Sequence, residues 1–169
     1  MAAPEQYLLD ANVFIEAHRR YYAFDLCPGF WESLIHLHGL GRIHSIQRVK
    51  DEFTGDDALS KWVATVAPAS FFHPDDGEDV QVMFGKMMTW VIGNPQFNDS
   101  AKSEFASVAD GWLMAYAKVH GLTLVTHEVY ARDAKKKVPM PNVCKAFGVG
   151  YVNTFEMLQR MSVKFHWGP

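Results

Sequence analysis

Short apolar runs that suit buried strands alternate along the chain with stretches of helical periodicity. Tyr7–Leu9 and residues 122–126 predict strands that are covered on both faces, and Tyr151–Val152 predicts a last short strand. Residues 80–91 carry apolar side chains three and four positions apart, which predicts a strong amphipathic helix. Strands that alternate with helices are typical of an α/β fold. The pattern therefore predicts that the three strands lie in one parallel sheet flanked by helices.

The remaining segments predict further helices and loops within a single domain, residues 1–169. Asp75 and Glu78 precede the strong helix with the spacing of a capping box. Residues 98–103 are polar and predict a loop, and residues 132–142 predict a basic loop. Short extended pieces are predicted at residues 43–46 and 71–72, and further helices at residues 13–18, 30–40, 48–53, 58–66, 103–120, 143–147 and 154–161.

Composition and charge restrict the class of protein. The chain is 49% hydrophobic and 21% charged, which is ordinary for a soluble globular protein. No apolar run approaches the roughly 18 residues that span a bilayer, and the first residues lack the pattern of a secretory signal. We therefore expect a cytoplasmic protein without a membrane partner, in which Cys27 and Cys144 stay reduced. The net charge of −3 argues against a surface that binds nucleic acid over its whole extent, but it allows an enzyme that binds a polynucleotide locally.

Four acidic residues stand out from the hydrophobic pattern. Asp10 and Glu128 follow predicted strands, and the carboxyl ends of parallel strands form the ligand-binding edge of an α/β sheet. Asp10 could equally cap the helix that follows. Asp110 falls among core-facing helical positions, where an unpaired carboxylate costs several kcal/mol, although a helix N-terminus would tolerate it. Glu52 lies beside the apolar stripe of its predicted helix.

Carboxylates gathered in this way favour one kind of chemistry. Their oxygens are ligands for Mg²⁺ or Mn²⁺, whereas Zn²⁺ prefers histidine and cysteine. Hard cations held by several carboxylates suit the cleavage of phosphodiester bonds. The basic loop, with Lys135, Lys136 and Lys137, could contact phosphate or be simply solvated.

The ordered set of segments resembles the PIN domain, the fold of the VapC-like toxin ribonucleases. The resemblance is carried by residues 8–15, by Glu52, by Ala109-Asp110 and by residues 125–128. The tail from Pro141 to Leu158 resembles a PIN subfamily of previously uncharacterised proteins.

The resemblance implies a three-layer α/β/α fold and metal-dependent cleavage of single-stranded or loop RNA by a toxin with a cognate antitoxin, and it allows a homodimer. It implies that Asp10, Glu52 and Asp110 bind Mg²⁺ or Mn²⁺, that Glu128 is a fourth catalytic acid, and that Asn12 and Thr126 are polar supports. Glu128 and Gly111 depart from the aspartate and proline that are commoner in this family.

Two other functions fit parts of the sequence. Asp10 and Asn12 after a strand also resemble the first motif of haloacid-dehalogenase-like phosphatases. That family has an aspartate where this chain has Asn12, and it needs a late acidic pair that this chain lacks. A PIN-like scaffold that binds RNA without catalysis would be expected to lose acids, and all four are present.

Overall fold

A computed structural model describes residues 2–168 and has a five-stranded parallel sheet at its centre. The strand order is β3-β2-β1-β4-β5, so β1 lies in the middle of the sheet. Its neighbours pair with it in register, Tyr7 with Ile43 on one side and with Thr123 on the other. The strands are β1 Tyr7–Leu9, β2 Ile43–Ile46, β3 Phe72–His73, β4 Thr123–Val125 and β5 Tyr151–Val152.

Helices cover both faces of this sheet and form the three-layer α/β/α architecture that the sequence predicts. All three residues of β1 are buried, as expected for a strand with helices on either side. A π-helical turn, Ala17–Tyr21, extends the first helix. The α-helices are α1 Ala11–Glu16, α2 Pro28–Gly39, α3 Gln47–Lys50, α4 Ala58–Thr65, α5 Glu78–Ile92, α6 Asp99–Ser107, α7 Asp110–His120, α8 Met140–Phe147 and α9 Thr154–Arg160.

Several helix ends follow directly from the sequence. Asp57 and Asn98 each accept a hydrogen bond from a backbone amide of the helix that they precede, α4 and α6. Asn153 and Glu156 form a capping box at α9. Gly121 ends α7 in the left-handed conformation that glycine adopts without strain, with a φ of 65°. The chain then enters β4, whose parallel pairing with β1 is confirmed.

Two helix predictions and one loop prediction are wrong. The predicted helix at residues 48–53 ends at Lys50, which leaves Glu52 in a turn. Residues 98–103 are not a loop because Asn98 caps α6. The predicted helix at residues 103–120 is broken at Val108, which adopts an extended conformation between α6 and α7.

The predicted capping box at residues 75–78 is also absent. Gly77 stands at the N-cap of α5 and makes no side-chain capping bond. Asp75 instead accepts a hydrogen bond from the backbone amide of Arg48, at 3.0 Å. A long-range contact has therefore replaced the local one that the spacing suggests.

Two further observations concern the core and the chain as a whole. One hydrophobic cluster extends from β1 to α9, and both cysteines are free thiols. No helix within residues 2–168 has the length and apolar character needed to cross a membrane. The division of the chain into domains stays a prediction.

Candidate active site

Asp10 lies at the carboxyl end of the central strand and is nearly inaccessible to solvent, at 4% exposure. It occupies the N-cap position of α1, but its carboxylate makes no capping hydrogen bond. The hydroxyl of Thr126, at the end of the neighbouring strand β4, donates to Asp10 Oδ2 at 3.3 Å. The capping alternative therefore does not account for this carboxylate.

The pKa of Asp10 reflects the cost of this position. It is raised from 3.8 to about 7, mainly by burial and in addition by the negative charges of Asp110, Glu128 and Glu52. The backbone amide of Ala11 acts in the opposite sense. No cationic side chain appears among the principal causes of the shift. Asp10 is therefore a buried acid whose charge the protein leaves largely uncompensated.

Asp110 begins α7 and approaches the same region from a different part of the chain. Its pKa is raised to about 6, mainly by burial and also by the charge of Glu128, whereas the charge of Lys137 acts in the opposite direction. Glu52 comes from the turn after α3, and partial burial of its carboxyl also raises its pKa. The charge of Glu52 contributes to the shifts of both Asp10 and Asp110. Three separate segments thus bring three acids within electrostatic reach of one another.

Glu128 is bound by the protein itself. One carboxylate oxygen accepts a hydrogen bond from the backbone amide of Met140 at 2.7 Å, and the other contacts the ammonium of Lys137. Its own backbone amide donates to the Thr126 hydroxyl at 3.1 Å. Thr126 therefore links Glu128 to Asp10, and Glu128 fastens the basic loop. Its assignment as a fourth catalytic acid stays a prediction.

A cleft of about 470 Å³ lies beside two of these acids, Glu52 and Asp110. Glu52, Asp110 and Lys137 line it, together with two side chains that the sequence did not indicate, Arg48 and Trp112. The guanidinium of Arg48 lies 4.0 Å from the centre of the Trp112 ring, which is stacked in turn on Phe84. Arg48 also forms an ion pair with the buried Asp75, at 3.1 Å. The cleft therefore joins acids, fixed cations and aromatic rings.

Gly111 allows this arrangement to form. A Cβ added at residue 111 would lie 2.8 Å from Phe84 Cε2 and 3.2 Å from the Phe105 ring. Packing therefore explains the glycine at this position, since any larger residue would push against the Phe84 ring that supports Trp112.

Comparison with known proteins places the chain in a family. Its residues 7–165 match the family described as Domain of unknown function (DUF4411). The chain belongs to this family. A comparison with curated proteins finds no match.

Two solved structures show which fold this DUF4411 chain has. FitAcB from Neisseria gonorrhoeae is 19% identical, with a TM-score of 0.51 over 89% of this chain and 99% of that chain. VapBC2 from Rickettsia felis, solved with a DNA fragment from its promoter, is 12% identical, with a TM-score of 0.51 over 87% of this chain and 97% of that chain. The predicted three-layer PIN-like fold is thereby confirmed.

The donor set of the site fits a hard cation. Asp10, Glu52 and Asp110 offer only carboxylate oxygens, and their mutual repulsion is what a divalent cation would relieve. Within residues 2–168, however, no three histidine, cysteine, aspartate or glutamate side chains are arranged to enclose a metal ion. The predicted sharing of a cation therefore requires the carboxylates to draw closer together, and it stays a prediction.

The remaining predicted residues lie in different environments. Asn12 is exposed on the first turn of α1, and its side chain makes no hydrogen bond with any other residue between 2 and 168. Lys135 and Lys136 are exposed in the basic loop and do not line the cleft, whereas Lys137 does. The structure therefore separates one lysine of the three from the other two.

Proposed function

We propose that this protein is a metal-dependent endoribonuclease that cleaves single-stranded or loop RNA. One observation carries the proposal. Three acids, Asp10, Glu52 and Asp110, come from three separate segments, and at least two of them are shifted by their neighbours' charge at the mouth of the parallel sheet. Stability alone does not explain such a cluster, because joint ionisation of neighbouring carboxylates opposes folding.

Each side chain would have a distinct part in the reaction. Asp10, Glu52 and Asp110 would hold Mg²⁺ or Mn²⁺, which when bound lowers the pKa of an attacking water and stabilises the leaving oxygen. The hydroxyl of Thr126 fixes the orientation of the Asp10 carboxylate through the hydrogen bond at 3.3 Å. Glu128 holds the loop that carries Lys137 beside the cleft.

We further propose that the protein is the toxin of a type II toxin–antitoxin pair and acts in the cytoplasm. The VapC-like fold supports this role, since the two similar structures are those of FitAcB and VapBC2. A cognate antitoxin would then be its protein partner. The same likeness favours the nuclease over the phosphatase alternative.

The test of the enzymatic proposal is cleavage of a mixed RNA pool in Mn²⁺ and in chelator. Wild-type protein should cleave only with the metal, and Asp10→Asn and Asp110→Asn should each lose cleavage, since both keep the shape of the side chain without its charge. Asp25→Asn is the matched control, because Asp25 is an exposed acid outside the cleft. Equal cleavage by wild type and Asp10→Asn would point to a contaminating nuclease and remove the assignment.

The toxin proposal has its own readout. Expression of the wild type should slow the growth of the host, whereas expression of Asp10→Asn at the same level should not. Active purified protein whose expression leaves growth unchanged would refute the toxin role without refuting the nuclease.

A further inference from the structure

Arg48 lies at the edge of the cleft and is held there by contacts outside the acid cluster. Its backbone amide donates to Asp75 Oδ2 at 3.0 Å, and its Nε lies 3.1 Å from Asp75 Oδ1. Its guanidinium is stacked on Trp112, which is itself stacked on Phe84 with an interplanar angle of 11°. Its side chain is nevertheless 41% exposed. Because arginine has five N–H donors, most of them stay available to a ligand.

Lys137 is held at the same cleft by a different set of contacts. Glu128 binds its ammonium, and the side chain of Lys137 remains 56% exposed. The basic loop is also fixed along its length, because Gln96 Nε2 donates to the carbonyls of Arg132 and Ala134, at 2.8 Å each. The amide of Asn98 donates to the carbonyl of Lys135 at 2.9 Å. Lys137 is therefore a positioned cation, although much of its side chain faces solvent.

The topology places these two cations on different sides of the acids. Arg48 follows β2, and Glu128, which holds Lys137, follows β4. Strands β2 and β4 flank β1, from which Asp10 extends. Each cation has its own carboxylate partner outside the trio of acids, Asp75 for one and Glu128 for the other. Arg48 and Lys137 also line the same cleft as Glu52 and Asp110.

An acidic cleft that receives a polyanion needs such cations. The carboxylates repel phosphate, so the strand must be attracted by fixed positive groups nearby. Arginine and lysine are the side chains that bind phosphate, arginine through its planar fork and lysine as a point charge. Lys135 and Lys136 are exposed but lie outside the cleft, so they cannot serve the same position.

We propose that Arg48 and Lys137 form a two-part phosphate-binding subsite that holds a single-stranded nucleic acid on either side of the acid cluster. This inference rests on the proposed nuclease function, because it assigns the groups that seat the strand for cleavage. Arg48 and Lys137 are binding residues, and Asp75 and Glu128 are the residues that position them.

The test measures binding, so that it is independent of cleavage. A fluorescently labelled single-stranded RNA of about 12 nucleotides is titrated with Asp10→Asn protein in Mg²⁺, and anisotropy is read between about 50 and 300 mM salt. Arg48→Met and Lys137→Met are added to this background. Lys136→Met is the matched control, because it removes a neighbouring charge from the same loop.

Arg48→Met and Lys137→Met should each weaken binding roughly 2- to 5-fold. Each should also lower the slope of log K against log salt by about 0.7, as expected for one phosphate contact on a single strand. Lys136→Met should change neither quantity. Arg48→Lys keeps a cation beside Asp75, so it should retain the salt-dependence slope while binding RNA less tightly. It replaces Arg48→Met in the test if Arg48→Met does not fold.

A double-mutant cycle tests the positioning. In a Glu128→Gln background, Lys137→Met should have a smaller effect on binding, because the lysine is no longer held at the cleft. The same losses with DNA of the same sequence also support the subsite, since the phosphates are common to both strands.

The proposal is overturned if no variant binds RNA, or if Arg48→Met and Lys137→Met bind as tightly as the Lys136→Met control. Wild-type protein that binds RNA through Arg48 and Lys137 but never cleaves it would refute the nuclease and leave the subsite standing. If the wild type cleaves RNA but Arg48→Met and Lys137→Met both bind it as tightly as the background protein does, the subsite is refuted and the nuclease stands.

Discussion

Asp10 should make the metal-free protein less stable as the pH rises, and Asp10→Asn should remove that loss. The pKa of Asp10 rises from its ordinary value of 3.8 to about 7 in the folded state. Between these values the folded state binds more protons than the unfolded state, so the free energy of unfolding falls as the pH increases. The loss is complete above pH 7 and absent below the ordinary pKa.

The structure sets the size of this effect. A rise from 3.8 to about 7 corresponds to a cost of about 4 kcal/mol at pH 8, at about 1.4 kcal/mol for each pKa unit. Asp10 is only 4% exposed, so little screening by solvent reduces the figure. Part of the cost is shared with Asp110, whose charge is coupled to that of Asp10. We therefore expect Asp10→Asn to gain about 2–4 kcal/mol at pH 8 and little at pH 4.

Urea denaturation of metal-free protein at several pH values between 4 and 8 measures this difference. Asp25→Asn, at an exposed loop residue, is the control and should leave the pH dependence unchanged. Millimolar Mn²⁺ should raise the stability of the wild type, by about 2.7 kcal/mol at a concentration 100 times its dissociation constant, and should raise that of Asp10→Asn much less. If Asp10→Asn is no more stable than the wild type at pH 8, the carboxylate is not an uncompensated buried charge and the reasoning fails.

Two further predictions concern packing and acid stability. Gly111→Ala should lower the free energy of unfolding by about 1–3 kcal/mol, because the added Cβ would approach Phe84 Cε2 to 2.8 Å. Gly85→Ala is the control and should not lower it, because the Cβ at residue 85 would enter open space. Chemical denaturation compares the two variants, and equal effects would refute the steric argument. Burial and the neighbouring histidines His73 and His38 lower the pKa of His44 to about 4, so stability should fall as the pH drops from about 6.5 to 4. His44→Gln should reduce this loss of stability at low pH by about 1–2 kcal/mol, after allowance for solvent screening of a half-buried ring. A loss of the same size in His44→Gln would contradict the prediction.

The sequence predicts the parts of the site that depend on local pattern. Asp10 interrupts an apolar run that suits a buried strand, and Asp110 follows Ala109 within an apolar stripe. Parallel pairing of β1 and β4 then brings Asp10 and Thr126 together, because the carboxyl ends of parallel strands share one edge. These inferences need only periodicity and topology.

Long-range contacts decide the parts that the sequence does not reveal. Arg48 is fixed by Asp75, 27 residues away, and the same contact removes the capping box that the spacing of Asp75 and Glu78 suggests. The break between α6 and α7 depends on Val108, whose helical neighbours give no local sign of it. Local propensity carries no information about such partners, since tertiary packing overrides it.

The contact between Glu128 and Lys137 leads to a last prediction, about metal binding. The ammonium of Lys137 already interacts electrostatically with Asp110, and it forms an ion pair with Glu128. Without Glu128, Lys137 would be free to pair with Asp110 and compete with a cation for the same carboxylate. Glu128→Gln should therefore reduce the rise in melting temperature that Mn²⁺ produces, even if Glu128 never binds the metal.

The double variant Glu128→Gln/Lys137→Met distinguishes this competition from direct ligation. If Lys137 competes with the cation, its removal restores the Mn²⁺-induced rise in melting temperature toward the wild-type value. If Glu128 is itself a ligand, the rise stays small, because a carboxylate has been lost whatever the lysine does. Lys136→Met in the same Glu128→Gln background should restore nothing, since Lys136 lies outside the cleft. The comparison thus decides whether the fourth acid binds the metal or keeps a neighbouring cation away from it.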